Sequence, residues 1–217
     1  MKHALVAAML FVPVALAWHA APVRAQDSAI DANAAVMREF WAGQTADSVA
    51  AVQQVYSRSV SFTLPRPLLP AHSSDANGAF IMEFVADGQT VASSTLMVTV
   101  TGVAGAGAAH LSDAELADVI FNRGKCDGYV YSDLGSVAVP VLPYRALIVG
   151  CGAEGAATSE RSAIALFRDA VSVWTVQFAQ RGAATAGFAA RAKTELSKLA
   201  PAVGCTAGET MPECRAQ

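Results

Sequence analysis

From residue 59 onward, apolar side chains recur at every second position. Val60, Phe62 and Leu64 alternate with Ser59, Ser61 and Thr63. Phe80, Met82 and Phe84 repeat the pattern. Leu96, Val98 and Val100 repeat it again, with Thr95, Thr99 and Thr101 among the interleaved positions. Successive side chains of a strand point to opposite faces, so a period of two reads as strands with one face buried. Pro65-Arg66-Pro67 is expected to stop the first strand. The Pro-, Ser-, Asp-, Asn- and Gly-rich stretch to Gly78 reads as a loop. Asp87-Gly88 is a turn signal, and the runs on either side of it read as an antiparallel hairpin.

The period then changes. Ser112 is a good N-cap, and Glu115 three residues later completes a capping box. The helix that follows is expected to bury Leu116, Val119 and Ile120 and to end at Gly124. Short strands are expected at Tyr129–Ser132, Val137–Val139 and Tyr144–Val149, at least one of them an edge because of Pro140 and Pro143. The last two strands read as Ala163–Phe167 and Val171–Ala179, joined at Arg168-Asp169. A final helix over about Ala186–Leu199 carries Phe188, Ala192, Leu196 and Leu199 on one face, and Pro201 stops it. The order implies an α+β fold: a mainly antiparallel sheet with helices packed on it.

The first 25 residues have a different logic. Lys2 and His3 precede an apolar run from Ala4 to Trp18, and Val23 and Ala25 occupy the small-residue positions of a cleavage site. Residues 1–25 therefore read as an export signal cut before Gln26. The run is shorter than the ~20 residues a membrane span needs. No Cys follows the cut, so no lipid anchor is expected. Residues 26–58 read as a helical leader, with Val36, Phe40 and Trp41, then Val49, Val52 and Tyr56, at helical spacing. The remainder divides into an α+β domain at 59–203 and a disulfide-stapled tail at 204–217.

Charge narrows the partners. The whole chain carries a net charge of −3, and losing Lys2 and Arg24 lowers it to −5. A mildly acidic chain without a Lys/Arg cluster has no electrostatic footprint for nucleic acid or anionic lipid. All four cysteines, Cys126, Cys151, Cys205 and Cys214, lie after the signal. An even count in an exported chain favours disulfides, and the nearest-neighbour pairing joins Cys126 to Cys151 and Cys205 to Cys214. A zinc site is disfavoured, because no C-x-x-C pair or nearby His supports it.

The sequence offers few catalytic candidates. Gly150, Gly152 and Gly155 match G-x-G-x-x-G after an apolar strand, but Val171–Gln180 lacks the acid that should hold a ribose, so a dinucleotide cofactor is not expected. Gly102, Gly105 and Gly107 have the wrong order for that fingerprint. No G-x-S-x-G is present. His72 lies beside Ser73, Ser74 and Asp75, and His110 lies near Asp113. Glu83, Asp127 and Asp133 are scattered, and no paired carboxylates are recognisable. No catalytic, cofactor-binding or metal-binding residue is assigned. Trp174, Val176 and Phe178 read as core.

Phe62-Thr63-Leu64-Pro65, Ala79–Val85 with Asp87-Gly88, and Thr95–Gly102 resemble a group of uncharacterised exported bacterial proteins. In these a Leu-Pro strand, a Glu-bearing strand and a Met-x-Thr-Val-Thr-Gly strand follow in order. Val173–Ala179 is similar as well. The strand–helix order also resembles the PsbP/Mog1-like sheet fold, whose members bind partners more often than they catalyse. The resemblance transfers no functional residue. The export signal and a stapled sheet domain without a recognisable catalytic set point to a periplasmic or secreted binding or accessory protein, whose partner is another envelope protein or a small apolar ligand. The alternative is a small envelope hydrolase centred on His72 or His110.

Overall fold

The computed structural model describes residues 47–56, 58–65, 67–139 and 142–206. They form a mixed fold dominated by antiparallel sheet. In chain order the elements are β1 (Ser48–Val55), β2 (Arg58–Pro65), β3 (Leu68–Ala76), β4 (Ala79–Ala86), β5 (Leu96–Ala104), α1 (Asp113–Ile120), β6 (Val130–Val137), β7 (Tyr144–Cys151), β8 (Glu160–Arg168), β9 (Ser172–Arg181), α2 (Phe188–Ser197) and β10 (Val203–Thr206). They build a three-stranded sheet in the order β1-β2-β10 and a seven-stranded sheet in the order β3-β4-β5-β9-β8-β7-β6.

The expected alternation of Val60, Phe62 and Leu64 is the core face of β2, with exposures of 0%, 1% and 1%. These side chains share one apolar cluster with Phe84, Val98, Val100, Phe167, Trp174, Val176 and Phe178 from the large sheet. We call this the inner face of the seven-stranded sheet. Phe62 meets Phe84 edge-on, with ring centroids 6.2 Å apart. Gly102 lets β1 come close here, because a Cβ on it would collide with Val55. Arg58 of β2 donates from Nε to Asp169 Oδ2 at 2.7 Å, tying the small sheet to the β8–β9 turn. Burial alone would raise the Asp169 carboxyl. The backbone N–H groups of Ser172 and Val171 and the Arg58 guanidinium outweigh it and hold the group below its ordinary value.

Phe188, Ala192, Leu196 and Leu199, the face expected of the last helix, are buried in the same inner cluster. The opposite, outer face has two smaller clusters. Leu116 and Ala117 of α1 join Leu147, Val149, Ile164, Leu166 and Val173 in one. Val85, Met97 and Ala179 form the other, against Ala71 and Val91. The Ser112–Glu115 capping box is formed in both directions, and Asp113 reaches Arg145 of β7 at 3.4 Å and Arg168 of β8 at 3.6 Å.

Several expectations are corrected. The helical leader does not extend through its last part: Ser48–Val55 is a strand, registered along its whole length on β2. Residues 26–46 lie outside the described residues. The loop expected at 65–78 contains β3, an edge strand whose composition looks like a turn. An edge tolerates Pro70, which has no N–H to give to a ladder, and a bulge between Pro70 and His72 absorbs the irregularity. The three short strands expected across 129–149 are two, β6 and β7. β6 stays continuous through a bulge between Asp133 and Gly135. The Asp87-Gly88 turn lies within a longer connection, residues 87–95, although β4 and β5 do pair antiparallel. Val119 is 70% exposed, because α1 turns Leu116 and Ala117 inward and Val119 falls outside that face. β10 follows the last helix and crosses the boundary placed between domain and tail at 203/204.

Candidate functional site

Both ends of one cross-link lie among the described residues. Cys126, just after α1, is bonded to Cys151 at the end of β7, with Cα atoms 5.4 Å apart. The proposed Cys205–Cys214 pair falls partly outside the described residues. Among the described residues, no group of three His, Cys, Asp or Glu side chains could hold a metal ion. No helix among them is long and apolar enough to cross a membrane.

The glycine motif is built for another purpose than a phosphate cradle. Such a cradle offers backbone N–H groups at a helix amino terminus. Here Gly150 lies within the end of β7, and the chain passes through Gly152 and Gly155 into β8, a strand. The loop turns its carbonyls inward onto Arg161, which is 4% exposed. Arg161 donates from Nη1 to Cys151 O at 2.6 Å and from Nη2 to Gly152 O at 2.7 Å. The guanidinium takes up carbonyls that would otherwise be buried without donors.

The two histidines part company. His110 is exposed in the segment before α1. His72 is half-buried on β3, directly opposite Glu83 of β4. The pleat settles the neighbouring groups. Ser74 shares the His72 side of β3, whereas Ser73 and Asp75 take the other, so Ser74, His72 and Asp75 do not converge as a relay.

Registration brings more together than the strands suggest separately. Glu83 stands opposite Thr99 of β5, and Thr99 opposite Gln177 of β9. His72, Glu83, Thr99 and Gln177 thus form one row across four adjacent strands of the outer face. The next row holds Ile81, Thr101 and Thr175. Thr101 and Thr175 share a hydrogen bond of 2.7 Å between hydroxyls, and Gln177 Nε2 donates to Thr175 Oγ1 at 2.8 Å. Thr99, Thr175 and Gln177 are 5%, 1% and 5% exposed, while His72 and Glu83 are half-buried. The row lies between the two apolar clusters of the outer face.

Electrostatics single out Glu83. Among the described residues its carboxyl takes no hydrogen bond and no ion pair. Burial raises it above the ordinary carboxylate value. His72 and Arg181 nearby pull it down, and Glu160 pushes it up. Arg181 is already committed: its Nε donates to Glu160 Oε2 at 2.6 Å, and its Nη1 donates to Val91 O. Glu83 is therefore an acid without a close cationic partner, held part-way into the protein.

Sequence reasoning found His72 and Glu83 but did not connect them, and it did not single out Thr175 or Gln177. The available signal was the polar half of each alternating strand. Thr99, Thr101, Thr175 and Gln177 occupy positions that bury a side chain on central strands, where Val or Ile is the usual occupant.

No protein-family model matches the chain. No curated protein matches it in sequence.

Proposed function

We propose that this is an exported binding or accessory protein, periplasmic or secreted, and that the outer face of the large sheet is its binding surface. The observation that carries this reading is the row His72–Glu83–Thr99–Gln177. Burying polar groups is costly unless each finds a partner, and an apolar outer face would serve the fold better. Places where local rules are broken without gain to the fold are where function is expected. A few polar groups set among apolar side chains are also the usual lining of a ligand site. The partner is another envelope component or a small ligand with an apolar part. The finer architecture belongs to the same reading: helices packed on a mainly antiparallel sheet, supported by the burial of Phe188, Ala192 and Leu196 among sheet residues.

Export rests on residues 1–25, and the Cys126–Cys151 bond is compatible with an oxidising compartment. Mass spectrometry of the processed protein should give a chain that begins at Gln26. A mature chain that keeps residues 1–25 would refute the assignment of compartment.

A second reading, a small hydrolase, is favoured by one juxtaposition, His72 placed opposite Glu83 in the β3–β4 register. Photo-crosslinkers at His72 and Ile81, with one at exposed Val171 as control, separate the two. A reproducible adduct from the outer-face positions alone supports binding. An esterase, peptidase or glycosidase activity that disappears in His72→Ala overturns it in favour of the hydrolase.

A further inference from the structure

We infer that the carboxy-terminal tail, residues 207–217, folds back over the small sheet and covers its back face, held by a Cys205–Cys214 bond with Met211 packed on Val203. The face is defined by the register. Val203 stands opposite Ser61, Gly204 opposite Val60 and Cys205 opposite Ser59. Val60 points into the inner core, and a Cβ on Gly204 would meet Phe167 at 3.1 Å and Trp174 at 3.4 Å. Alternate residues of a strand point to opposite sides, so Val203 and Cys205 point away from the large sheet, together with Ser59 and Ser61. Val52 joins them from β1, opposite Ser61.

Side chains on the far side of a sheet that already packs on another are expected to be exposed. Val203, Cys205 and Ser61 are instead 2%, 2% and 4% exposed. Among the described residues, neither Val203 nor Cys205 belongs to any of the three apolar clusters. Burial also fades across the sheet, since on β1 Val52 is half-buried and Ala50 is exposed. The cover therefore lies over β10, where the tail leaves, rather than over β1, where residues 26–46 arrive.

Cys205 names the segment. It is not a free thiol, and Ser59 opposite it has a bonding partner as well. Cys126 and Cys151 are bonded to each other, so Cys214 is the cysteine left in the chain. A disulfide keeps its Cα atoms about 5.5 Å apart, and the Cys205 side chain points to the back face, so Cys214 must return to that face. Residues 206–213 are long enough for the return. Four residues reach about 13 Å at about 3.3 Å each, more than the two strand spacings of about 4.8 Å between β10 and β1. Gly208 and Pro212 suit the reversal. Met211 is the large apolar side chain that the tail can lay on Val203.

This face is separate from the outer face of the large sheet, and the inference does not rest on the outer face being the binding surface. The test uses the oxidised mature chain. Peptide mapping without reduction should join Cys205 to Cys214 within one chain. A photo-reactive diazirine replacing the Met211 side chain should, on irradiation, attach to peptides from 48–64 and 199–206. A second readout needs no altered side chain: hydrogen peroxide should oxidise Met211 about ten-fold more slowly in the native chain than in urea. A free Cys214 thiol, or Met211 oxidised at its unfolded rate, overturns the inference. So do adducts confined to residues 26–46, which would put the leader on this face, or to a second copy of the chain, which would make the face a dimer interface.

Discussion

The inner and outer faces of the seven-stranded sheet are made by the same strands, one residue out of phase, and they are built to opposite rules. On β5 the inner positions are Val98 and Val100, and on β9 they are Trp174, Val176 and Phe178, all within one apolar cluster. The outer positions between them are Thr99, Thr101, Thr175 and Gln177. Of these, Thr99, Thr175 and Gln177 are almost as fully buried as the inner set. Burial alone therefore does not decide composition in this molecule. The inner face holds two layers together, and hydrophobic area is what it needs. The outer face keeps hydroxyls and an amide at a cost, divided between two apolar clusters that each have their own cover.

The largest expected effect tests the inner face. Phe167 is fully buried and stacks on Trp174 with centroids 6.0 Å apart, while Tyr144 lies 5.3 Å away on its other contact. Phe167→Ala should lower unfolding free energy in urea by about 3–5 kcal/mol. A loss under about 1 kcal/mol would mean that the inner face is not the main core.

The cross-link comes next, since it fastens the end of the α1 segment to β7. Cys126→Ser opens a loop with a sequence separation of 25. In the chain-entropy model the loss is about 3 kcal/mol. An unchanged urea midpoint would show that the outer cover is held by packing alone.

A smaller effect probes the outer face directly. Thr175→Val leaves the Gln177 amide and the Thr101 hydroxyl short of a partner, which should cost about 1–2 kcal/mol. Replacing Thr101, Thr175 and Gln177 together by Val, Val and Leu should recover most of that loss. Recovery shows that the polar row is not required by the fold. A further drop would show that the two faces differ for structural reasons, and it would remove the main support for a binding surface.

The smallest effect is one of pH, and two carboxyls, Glu83 on the outer face and Asp169 in the β8–β9 turn, carry opposite signs. Glu83 is raised by burial, so its contribution to stability is complete below its ordinary 4.5 and is lost as pH rises through its folded value. Glu83→Gln should therefore be somewhat more stable than the parent at neutral pH, with the difference closing in acid. Asp169 is lowered, so what it contributes is present above its ordinary 3.8 and is lost as pH falls through its folded value. Thermal melts of both proteins from neutral pH to below pH 4 measure the two limbs. A destabilised Glu83→Gln at neutral pH would contradict an uncompensated buried carboxylate.

How much of this was legible depends on what each element needs to be itself. β2, β4 and β5 carry their alternation in their own residues. The Ser112–Glu115 cap and the Phe188–Ala192–Leu196–Leu199 face are equally local. β1 is different. Its Ala and Gln positions suit helix as well as strand, and pairing with β2 decides the matter, which no window of sequence contains. β3 hid behind Pro70, Ser73, Ser74 and Asp75, the residues that keep an open edge from recruiting other strands. The polar row was least legible of all. His72, Glu83, Thr99 and Gln177 come from four strands, and a slip of one residue in any pairing would scatter them.

The small sheet has a consequence for how the molecule comes into being. β2 receives β1 from just before it and β10 from the far end of the described chain, with Val203 opposite Ser61. Thr63 N also donates to Leu199 O at 2.9 Å. A chain made or threaded in one direction therefore cannot complete the small sheet until β10 has emerged. Contacts this far apart in sequence form late and slowly. The small sheet stays open while everything between β2 and β10 is made, and it closes only when β10 arrives.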